Sequence, residues 1–258
     1  MNKILSKQII ATNTKRVEIA SEVIARRAKA GQFVMVMPDA KSEKIPLAIV
    51  DADSKRGTII LIFEEAGETT KKLGALSIGS EIFSILGPLG MPAQMPTVSV
   101  VLCVGYGIYI SQMLSMCKAY RKTGCKVVGL IGAKTKNSLI LEARMRMACN
   151  KLYVVTDDGT YERKGFVSAV LPEIIKKESV NLLCAAAPVS MLEEISKITK
   201  ERELKTLIQL NPTMVDGIGL CGSCRVKVEG ESILACVDGP QFDAHKVDFS
   251  ELTARAQL

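Results

Sequence analysis

The 258-residue chain has no tryptophan and only one histidine, and aromatic residues make up 4% of it. The sequence shows no Ser/His/Asp constellation around that single imidazole, His245. Histidine-based acid–base or nucleophilic catalysis is therefore not expected, and we predict no catalytic side chain of this kind. His245 is expected to make a structural hydrogen bond instead.

Long apolar runs and basic tracts are also missing. No run reaches the roughly 18 apolar residues of a membrane span, and the first residues lack the apolar region of a secretory signal peptide. We therefore expect a cytoplasmic protein. The net charge of +7 is spread along the chain, without Lys/Arg tracts among aromatic residues, so nucleic-acid binding is not expected. The charge suits an acidic redox partner, although a solvated surface explains it equally well.

Cysteine is the residue type that stands out. Eight cysteines in a cytoplasmic chain indicate metal binding or buried thiols and argue against a disulfide framework. Five of them lie in apolar or helical contexts and are predicted to be core residues. These five are Cys103, Cys117, Cys125, Cys149 and Cys184.

The remaining three cysteines form a spaced motif with an aspartate. Four residues separate Asp216 from Cys221, two separate Cys221 from Cys224, and eleven separate Cys224 from Cys236. Plant-type [2Fe–2S] centres use C-x4-C-x2-C and a distant fourth cysteine, so the stretch matches with aspartate in the first ligand's place. A C-x2-C pair also occurs in zinc sites and redox dithiols. Zinc would need further compact ligands, and a dithiol leaves the positions of Asp216 and Cys236 unexplained.

The hydrophobic pattern divides the chain into three parts. Residues 1–96 contain short apolar runs separated by turn signals, at 17–24, 33–37, 47–50, 58–63 and 81–86. This spacing predicts an antiparallel β-barrel or sandwich. Residues 97–210 alternate strands (98–104, 126–131, 152–156, 180–185) with helices (113–122, 138–149, 166–176, 190–200), which predicts a doubly wound parallel α/β domain. Residues 211–258 form a small third unit that carries the cysteine motif and ends in a short helix near 249–256.

Two segments carry a family resemblance. MVDGIGLCGSCRV (214–226) and ACVDGPQFDAH (235–245) resemble the cluster segment of the sulfide dehydrogenase and dihydroorotate dehydrogenase electron-transfer subunits. Within that family, the small subunits of NADH-dependent reduced ferredoxin:NADP+ oxidoreductases are most similar. The resemblance covers essentially the whole chain. It implies that Asp216, Cys221, Cys224 and Cys236 are the ligands of a [2Fe–2S] cluster.

The resemblance also implies FAD on a ferredoxin-reductase-like barrel. The segment at 44–48 takes the place of the family's flavin segment, with Lys44 for an arginine and Ala48 for a hydroxyl residue. Lysine keeps the positive charge but loses the bidentate fork. A helix opening at 67–70 suits a phosphate, and a GPLG turn at 87–90 matches the family; a plain helix cap and a tight turn would look the same. The implied FAD-binding residues are Lys44, Pro46, Leu47, Ala48, Gly67, Thr69, Thr70, Gly87, Pro88 and Leu89.

An NAD(H) site is implied in the second part, where ligands bind outside the carboxyl ends of the strands. Tyr109 and Ala187 stand where members of the family usually have glycine, and a bulky residue there fills space that a pyrophosphate or nicotinamide needs. The implied NAD(H)-binding residues are Gly105, Gly107, Asp157, Asp158 and Pro188.

The resemblance implies an electron-transfer subunit that passes electrons between NAD(H) and a larger iron–sulfur flavoprotein. On that analogy the complex exchanges electrons with NADP(H) and ferredoxin, including by bifurcation at the partner's flavin. Two alternatives stay open. One is an electron-relay or assembly subunit with a degenerate nucleotide site that does not use NAD(H). The other is a reductase subunit for a different partner enzyme.

Overall fold

A computed structural model describes residues 2–255 of the chain, and it divides into two compact units. The first unit contains residues up to 93 together with 211–224 and 234–240. The second contains 94–210, 225–233 and the residues from 241 onward. The division of the sequence at 96/97 and 210/211 stays a prediction, because compactness alone does not tell which segments fold independently.

The first unit is built from seven β-strands and two short helices. The strands are β1 (Ile4–Ala11), β2 (Thr14–Ala20), β3 (Phe33–Met37), β4 (Ile45–Ala48), β5 (Asp51–Asp53), β6 (Thr58–Glu64) and β7 (Ser84–Leu89). The helices are α1 (Glu22–Arg27) and α2 (Glu68–Ala75). One sheet has the order β1-β2-β6-β5 and the other β4-β3-β7, and the pairings are antiparallel. The predicted antiparallel β architecture is confirmed.

The core of this unit comes from alternate residues of neighbouring strands. Val17 pairs with Leu61 and Ile19 with Ile59, and all four side chains are fully buried. Each such side chain contributes about 2 kcal/mol of burial free energy, so these pairs fix the register of β2 on β6.

The strand predicted at 17–24 ends earlier than expected. β2 stops at Ala20, and Glu22 begins a helix that ends at Arg27. An acidic residue in the first turn and basic residues in the last turn complement the helix dipole. Ile24 and Ala25 are buried side chains of this helix. A short apolar run fits a buried helix as well as a strand, so the sequence alone did not separate the two.

The second unit is a seven-stranded sheet with helices between its strands. The strands are β8 (Val100–Tyr106), β9 (Lys126–Ala133), β10 (Lys151–Thr156), β11 (Arg163–Lys164), β12 (Leu182–Ala186), β13 (Thr206–Gln209) and β16 (Gln241–Asp243). The helices are α3 (Ile110–Lys122), α4 (Glu142–Ala148), α5 (Val167–Glu178), α6 (Val189–Lys200) and α7 (Phe249–Arg255). The strands β14 (Arg225–Val228) and β15 (Glu231–Leu234) form a separate two-stranded hairpin.

The sheet order is β11-β10-β9-β8-β12-β13-β16. Its pairings are parallel except for the antiparallel pair of β13 and β16. The predicted doubly wound α/β architecture is confirmed. The chain proceeds from β8 to β9 on one side and returns to β12 on the other, so the strand order reverses between β8 and β12. Such a switch point is where open α/β sheets bind their ligands.

The helix predicted at 138–149 begins later than expected. A short 3-10 turn covers Lys136–Ser138, and α4 starts only at Glu142, after Leu141 in the left-handed region at φ 59°. β11, β13 and β16 were not predicted, because two- to four-residue strands give too short a pattern. The predicted terminal helix is present to Arg255, and its last predicted residue, Ala256, lies outside the described residues.

A buried carboxylate ties α5 to the sheet. The Glu178 side chain is 5% exposed and accepts hydrogen bonds from Lys151 (2.6 Å), Tyr153 (2.6 Å) and Lys126 (2.9 Å). These bonds lower the pKa of Glu178 to about 2. Ionised and charge-assisted bonds of this kind are the strong ones, so the end of α5 is fixed to β9 and β10. Within residues 2–255, no helix combines the length and apolarity that crossing a bilayer requires.

Candidate functional site

The carboxylate of Asp216 organises the loop that carries the predicted cluster ligands. Its Oδ1 accepts backbone N–H bonds from Ile218 (2.8 Å) and Gly219 (3.2 Å), and its Oδ2 accepts one from Cys221. These bonds, led by the one from Ile218, lower the pKa of Asp216 to about 2. The side chain is therefore ionised and sits at the head of the loop, at the position predicted for the first ligand.

Cys221 and Cys224 belong to the same loop, and Cys236, which follows β15, lies beside Cys224. The Cys221 sulfur lies 3.1 Å from Ser223 Oγ, and the thiols of Cys224 and Cys236 lie next to each other. Cys224 and Cys236 are buried whereas Cys221 is exposed. Burial, followed by the contact with Cys224, raises the pKa of Cys236 to about 12, and an N–H of Gly219 points at its sulfur. One edge of the four-residue set is thus open to solvent and the other is enclosed.

Three thiols and a carboxylate fit a [2Fe–2S] cluster better than a single metal ion. A binuclear cluster instead divides its four ligands between two irons. His245, the one imidazole available to a zinc site, hydrogen-bonds Thr199 Oγ1 through Nε2 at 3.0 Å and is thereby accounted for as a structural residue.

The loop from 217 to 224, called the cluster loop below, packs on strands β3 and β7 of the first unit, called the β unit below. Gly217 has φ +75°, and a Cβ there would lie 2.5 Å from Met35 Cγ and 3.1 Å from Leu89 Cδ1. Only glycine fits both this backbone conformation and this approach. The second arm of the segment is held as well, since the N–H of Met91 donates to the carbonyl of Gly239 at 2.6 Å.

The same strands carry the segments implied to bind FAD. Phe33 of β3 pairs with Ala48 of β4 on one side and with Leu89 of β7 on the other. The 46–48 segment and the end of the GPLG segment therefore flank one strand in a three-stranded sheet. Lys44 is exposed just before β4.

The implied phosphate residues lie on a separate element, the first turn of α2. The N–H of Gly67 donates to Thr70 Oγ1 (3.0 Å), and this hydroxyl donates back to the carbonyl of Gly67 (2.9 Å). Thr69 is half-buried in the same turn. The Thr70 hydroxyl is thus engaged as a helix cap, while a Cβ at Gly67 would meet open space.

The implied NAD(H) residues follow the carboxyl ends of three parallel strands. Gly105 and Gly107 lie at the end of β8, Asp157 and Asp158 follow β10, and Pro188 follows β12 and caps α6. Parallel strands end at one edge of the sheet, so all five share the edge that contains the switch point.

Packing alone already requires one of these glycines. A Cβ at Gly105 would lie 2.9 Å from Ile110 Cα, so this glycine permits the close approach of α3 to the strand. At Gly107, φ is +56° and a Cβ would meet nothing within 4 Å. Tyr109 ends the 3-10 turn Gly107–Tyr109, and Ala187 is 3% exposed.

Sequence reasoning missed Tyr106 at this edge. Its hydroxyl donates a hydrogen bond to Asp157 Oδ2 at 2.5 Å. This bond links the end of β8 to the end of β10. Burial and this bond raise the pKa of Tyr106 well above its ordinary value. Asp157 Oδ1 is buried and has no hydrogen-bond partner among residues 2–255. The signal for Tyr106 was its position between two glycines of the nucleotide turn.

Comparison with known proteins agrees with this arrangement. Residues 211–248 match the family model described as the iron–sulfur cluster binding domain of dihydroorotate dehydrogenase B. A Thermotoga maritima protein named as a homologue of the electron transfer subunit of dihydroorotate dehydrogenase B (NAD(+)) is 33% identical, over 99% of this chain and 90% of its own length. The chain belongs to the dihydroorotate dehydrogenase B electron-transfer subunit family. It is an oxidoreductase subunit that works in electron transfer.

Other members of the family and a solved structure extend the likeness over the whole chain. An uncharacterized Clostridium beijerinckii protein is 37% identical, covering 100% of this chain and 90% of its own length. A chain solved in a study of bifurcation by the NADH-dependent reduced ferredoxin–NADP oxidoreductase superposes with a TM-score of 0.95 at 33% identity, covering 100% of this chain and 94% of that one. A Plasmodium falciparum ferredoxin–NADP+ reductase, at 14% identity and a TM-score of 0.62, shares the fold.

Proposed function

We propose that this family member holds FAD and a [2Fe–2S] cluster and passes electrons between NAD(H) and a larger iron–sulfur flavoprotein subunit. The contact of Gly217 with Met35 and Leu89 carries the proposal. It seats the cluster loop on the strands implied to hold the flavin, so both redox centres would belong to one compact unit.

The ligands proposed for the cluster are Asp216, Cys221, Cys224 and Cys236. The backbone N–H groups around them stabilise negative charge on the carboxylate and on the Cys236 sulfur. Hydrogen bonds to ligand atoms tune the potential of such a cluster. The enclosed pair Cys224 and Cys236 keeps water from one edge, and the exposed Cys221 leaves the other edge open to a partner.

For FAD we propose the residues of β4, of the first turn of α2 and of the GPLG segment that the family resemblance implies. FAD, when bound, takes two electrons from NADH and releases them singly, and the cluster carries single electrons. Lys44 is exposed and free to place a positive charge against the pyrophosphate. The NAD(H) residues proposed are those at the carboxyl edge of the sheet, where the nucleotide can face the switch point.

The surface around the cluster loop supports a protein partner. Val215, Ile218, Leu220 and Val237 are 43–83% exposed although all are aliphatic. The loop from 217 to 224 contains no charged residue. An exposed apolar patch beside a redox centre suits a stable protein interface. A heteromer with the larger subunit is therefore proposed, and a cytoplasmic location is proposed from the free cysteines.

An anaerobic visible spectrum, recorded in one cuvette before and after NADH is added, tests the proposal. Bleaching of a flavin band followed by cluster reduction is expected. A flavin and cluster spectrum that NADH leaves unchanged would favour the electron-relay alternative. The double variant Tyr109→Gly, Ala187→Gly then separates the cases, because restored NADH binding would identify these two side chains as the block.

A further inference from the structure

Three buried thiols lie next to one another in the second unit, apart from the proposed cluster ligands. Cys117 on α3 lies next to Cys103 of β8 and to Cys149, the residue that follows α4. The sulfurs of Cys117 and Cys149 are 3.6 Å apart. The function proposed above uses none of the three, and thiols this close need only a small approach to form a bond of about 2.0 Å.

The surroundings single out one pair of the three. Cys103 is fully buried on a central strand, held by ladders to Gly129 on one side and Cys184 on the other. Its backbone therefore cannot shift without breaking two ladders. Cys149 caps the end of α4 in an extended conformation and is 6% exposed. It is thus the member of the group with contact to solvent, and it lies outside the strand ladders, which on this side begin at Lys151.

The strand beneath Cys149 leaves room for its sulfur. A Cβ at Gly129 would lie 2.8 Å from Cys149 Sγ, so the sulfur rests in the space that this glycine leaves open. A side chain at position 129 would push the thiol outward. The glycine instead leaves Cys149 Sγ within 3.6 Å of Cys117 Sγ.

We propose that Cys117 and Cys149 form a reversible disulfide when the protein meets hydrogen peroxide, joining α3 to the end of α4. In the first step the Cys149 thiolate attacks one peroxide oxygen, the O–O bond breaks, and the departing hydroxide takes up the thiol proton as water. Sulfur is oxidised by two electrons to a sulfenic acid, and peroxide is reduced.

In the second step the Cys117 sulfur attacks the Cys149 sulfur. The S–S bond forms, the S–O bond breaks, and hydroxide leaves with the proton of Cys117 as a second water. Two thiols and one peroxide thus give one disulfide and two waters. A dithiol reductant reverses the change by exchange through a mixed disulfide.

The local electrostatics agree with this order of events. The contact between the two sulfurs, aided by the nearby charge of Arg121, lowers the pKa of Cys149, whereas the contacts with Cys103 and Cys149 raise the pKa of Cys117. Thiolate character and access decide which cysteine oxidises first. Both select Cys149 as the attacking thiol and Cys117 as the resolving one. With Cys149 6% exposed and Cys117 fully buried, a small oxidant such as peroxide is favoured over bulky disulfides.

Peptide mapping of the peroxide-treated holoprotein under non-reducing conditions tests the proposal. One to two equivalents of hydrogen peroxide are added anaerobically, cluster absorbance is followed, and free thiols are blocked with iodoacetamide. Digestion with trypsin and chymotrypsin together is needed, because Cys103 and Cys117 share one tryptic peptide and Tyr106 and Tyr109 lie between them. The expected product is a cross-linked peptide pair containing Cys117 and Cys149, lighter by two hydrogen atoms and split by dithiothreitol.

Matched variants complete the test. Cys149→Ser should abolish the cross-link. Cys125→Ser, which removes a more exposed thiol outside the group of three, should leave the yield of the cross-link unchanged. The wild-type map decides the matter if Cys149→Ser fails to fold. A Cys103–Cys117 link, an equal yield with oxidised glutathione, or a map with Cys117 and Cys149 both alkylated after peroxide would overturn the proposal.

Discussion

The packing of the cluster loop on the β unit can be tested by a substitution that adds one methyl group. Gly217→Ala places a Cβ 2.5 Å from Met35 Cγ and 2.9 Å from Met35 Sδ. Met35 is 1% exposed on β3 and cannot move aside without disturbing the core. The variant therefore combines backbone strain at φ +75° with overpacking of a buried side chain.

The two costs can be separated, because Gly79 offers a matched control. It has φ +89°, and a Cβ there would meet nothing within 4 Å. Gly79→Ala should therefore cost only the strain of a left-handed alanine, about 1 kcal/mol. Gly217→Ala should cost that amount and about 1–3 kcal/mol more for overpacking. The expected total for Gly217→Ala is about 3 kcal/mol.

Thermal unfolding of the holoproteins, with iron and sulfide analysis, measures both effects. At about 2–4 °C per kcal/mol for a chain of this size, Gly79→Ala should lower the Tm by about 2–4 °C and Gly217→Ala by about 6–12 °C. Cluster content should fall in Gly217→Ala alone. Equal Tm losses with full cluster content in both variants would refute the reasoning, because the loop would then not be held against Met35.

Two further predictions concern charged side chains. Glu178→Gln should destabilise the protein by about 2 kcal/mol at pH 7, since it removes charge-assisted bonds to a buried carboxylate, whereas Glu173→Gln, in an exposed pair with Arg163, should cost under about 1 kcal/mol. The pKa of Glu178 in the folded protein, about 2, lies below its ordinary value of 4.5. Its contribution to the free energy of unfolding is therefore complete above pH 4.5 and lost as the pH falls toward 2. A difference in unfolding free energy between wild type and Glu178→Gln that stays constant in urea titrations on acidification would contradict this. Asp216→Cys should retain a cluster with a shifted reduction potential, because thiolate replaces oxygen, and an unchanged potential in an EPR-monitored titration would mean that Asp216 is not a ligand.

The architecture was predictable where patterns were long. Continuous apolar strands separated by amphipathic helices predicted the parallel sheet. The strand β3 was predicted with the bounds observed, Phe33–Met37. Short elements escaped. β13 and β16 owe their strand state to pairing with each other and with the sheet, a tertiary cause that no local pattern contains.

For the candidate site, the sequence supplies predicted residues but not their contacts. Spacing brought out the cysteines and Asp216, because a cluster demands donors at fixed separations. The Tyr106 bond to Asp157 joins residues 51 positions apart, and the close contact of Gly217 with Met35 joins residues still further apart along the chain. Such contacts depend on the sheet order, which the sequence leaves undetermined.

The aspartate at the first ligand position has a physical consequence for how this loop is held. A carboxylate has two oxygens and about four lone-pair sites, and three of them face the N–H groups of Ile218, Gly219 and Cys221. One site is left for iron. A thiolate is a weaker acceptor on a single sulfur, so a cysteine there would leave the loop more dependent on the metal for its order. The carboxylate thus shapes the loop through its backbone bonds and still has a donor to offer a cluster.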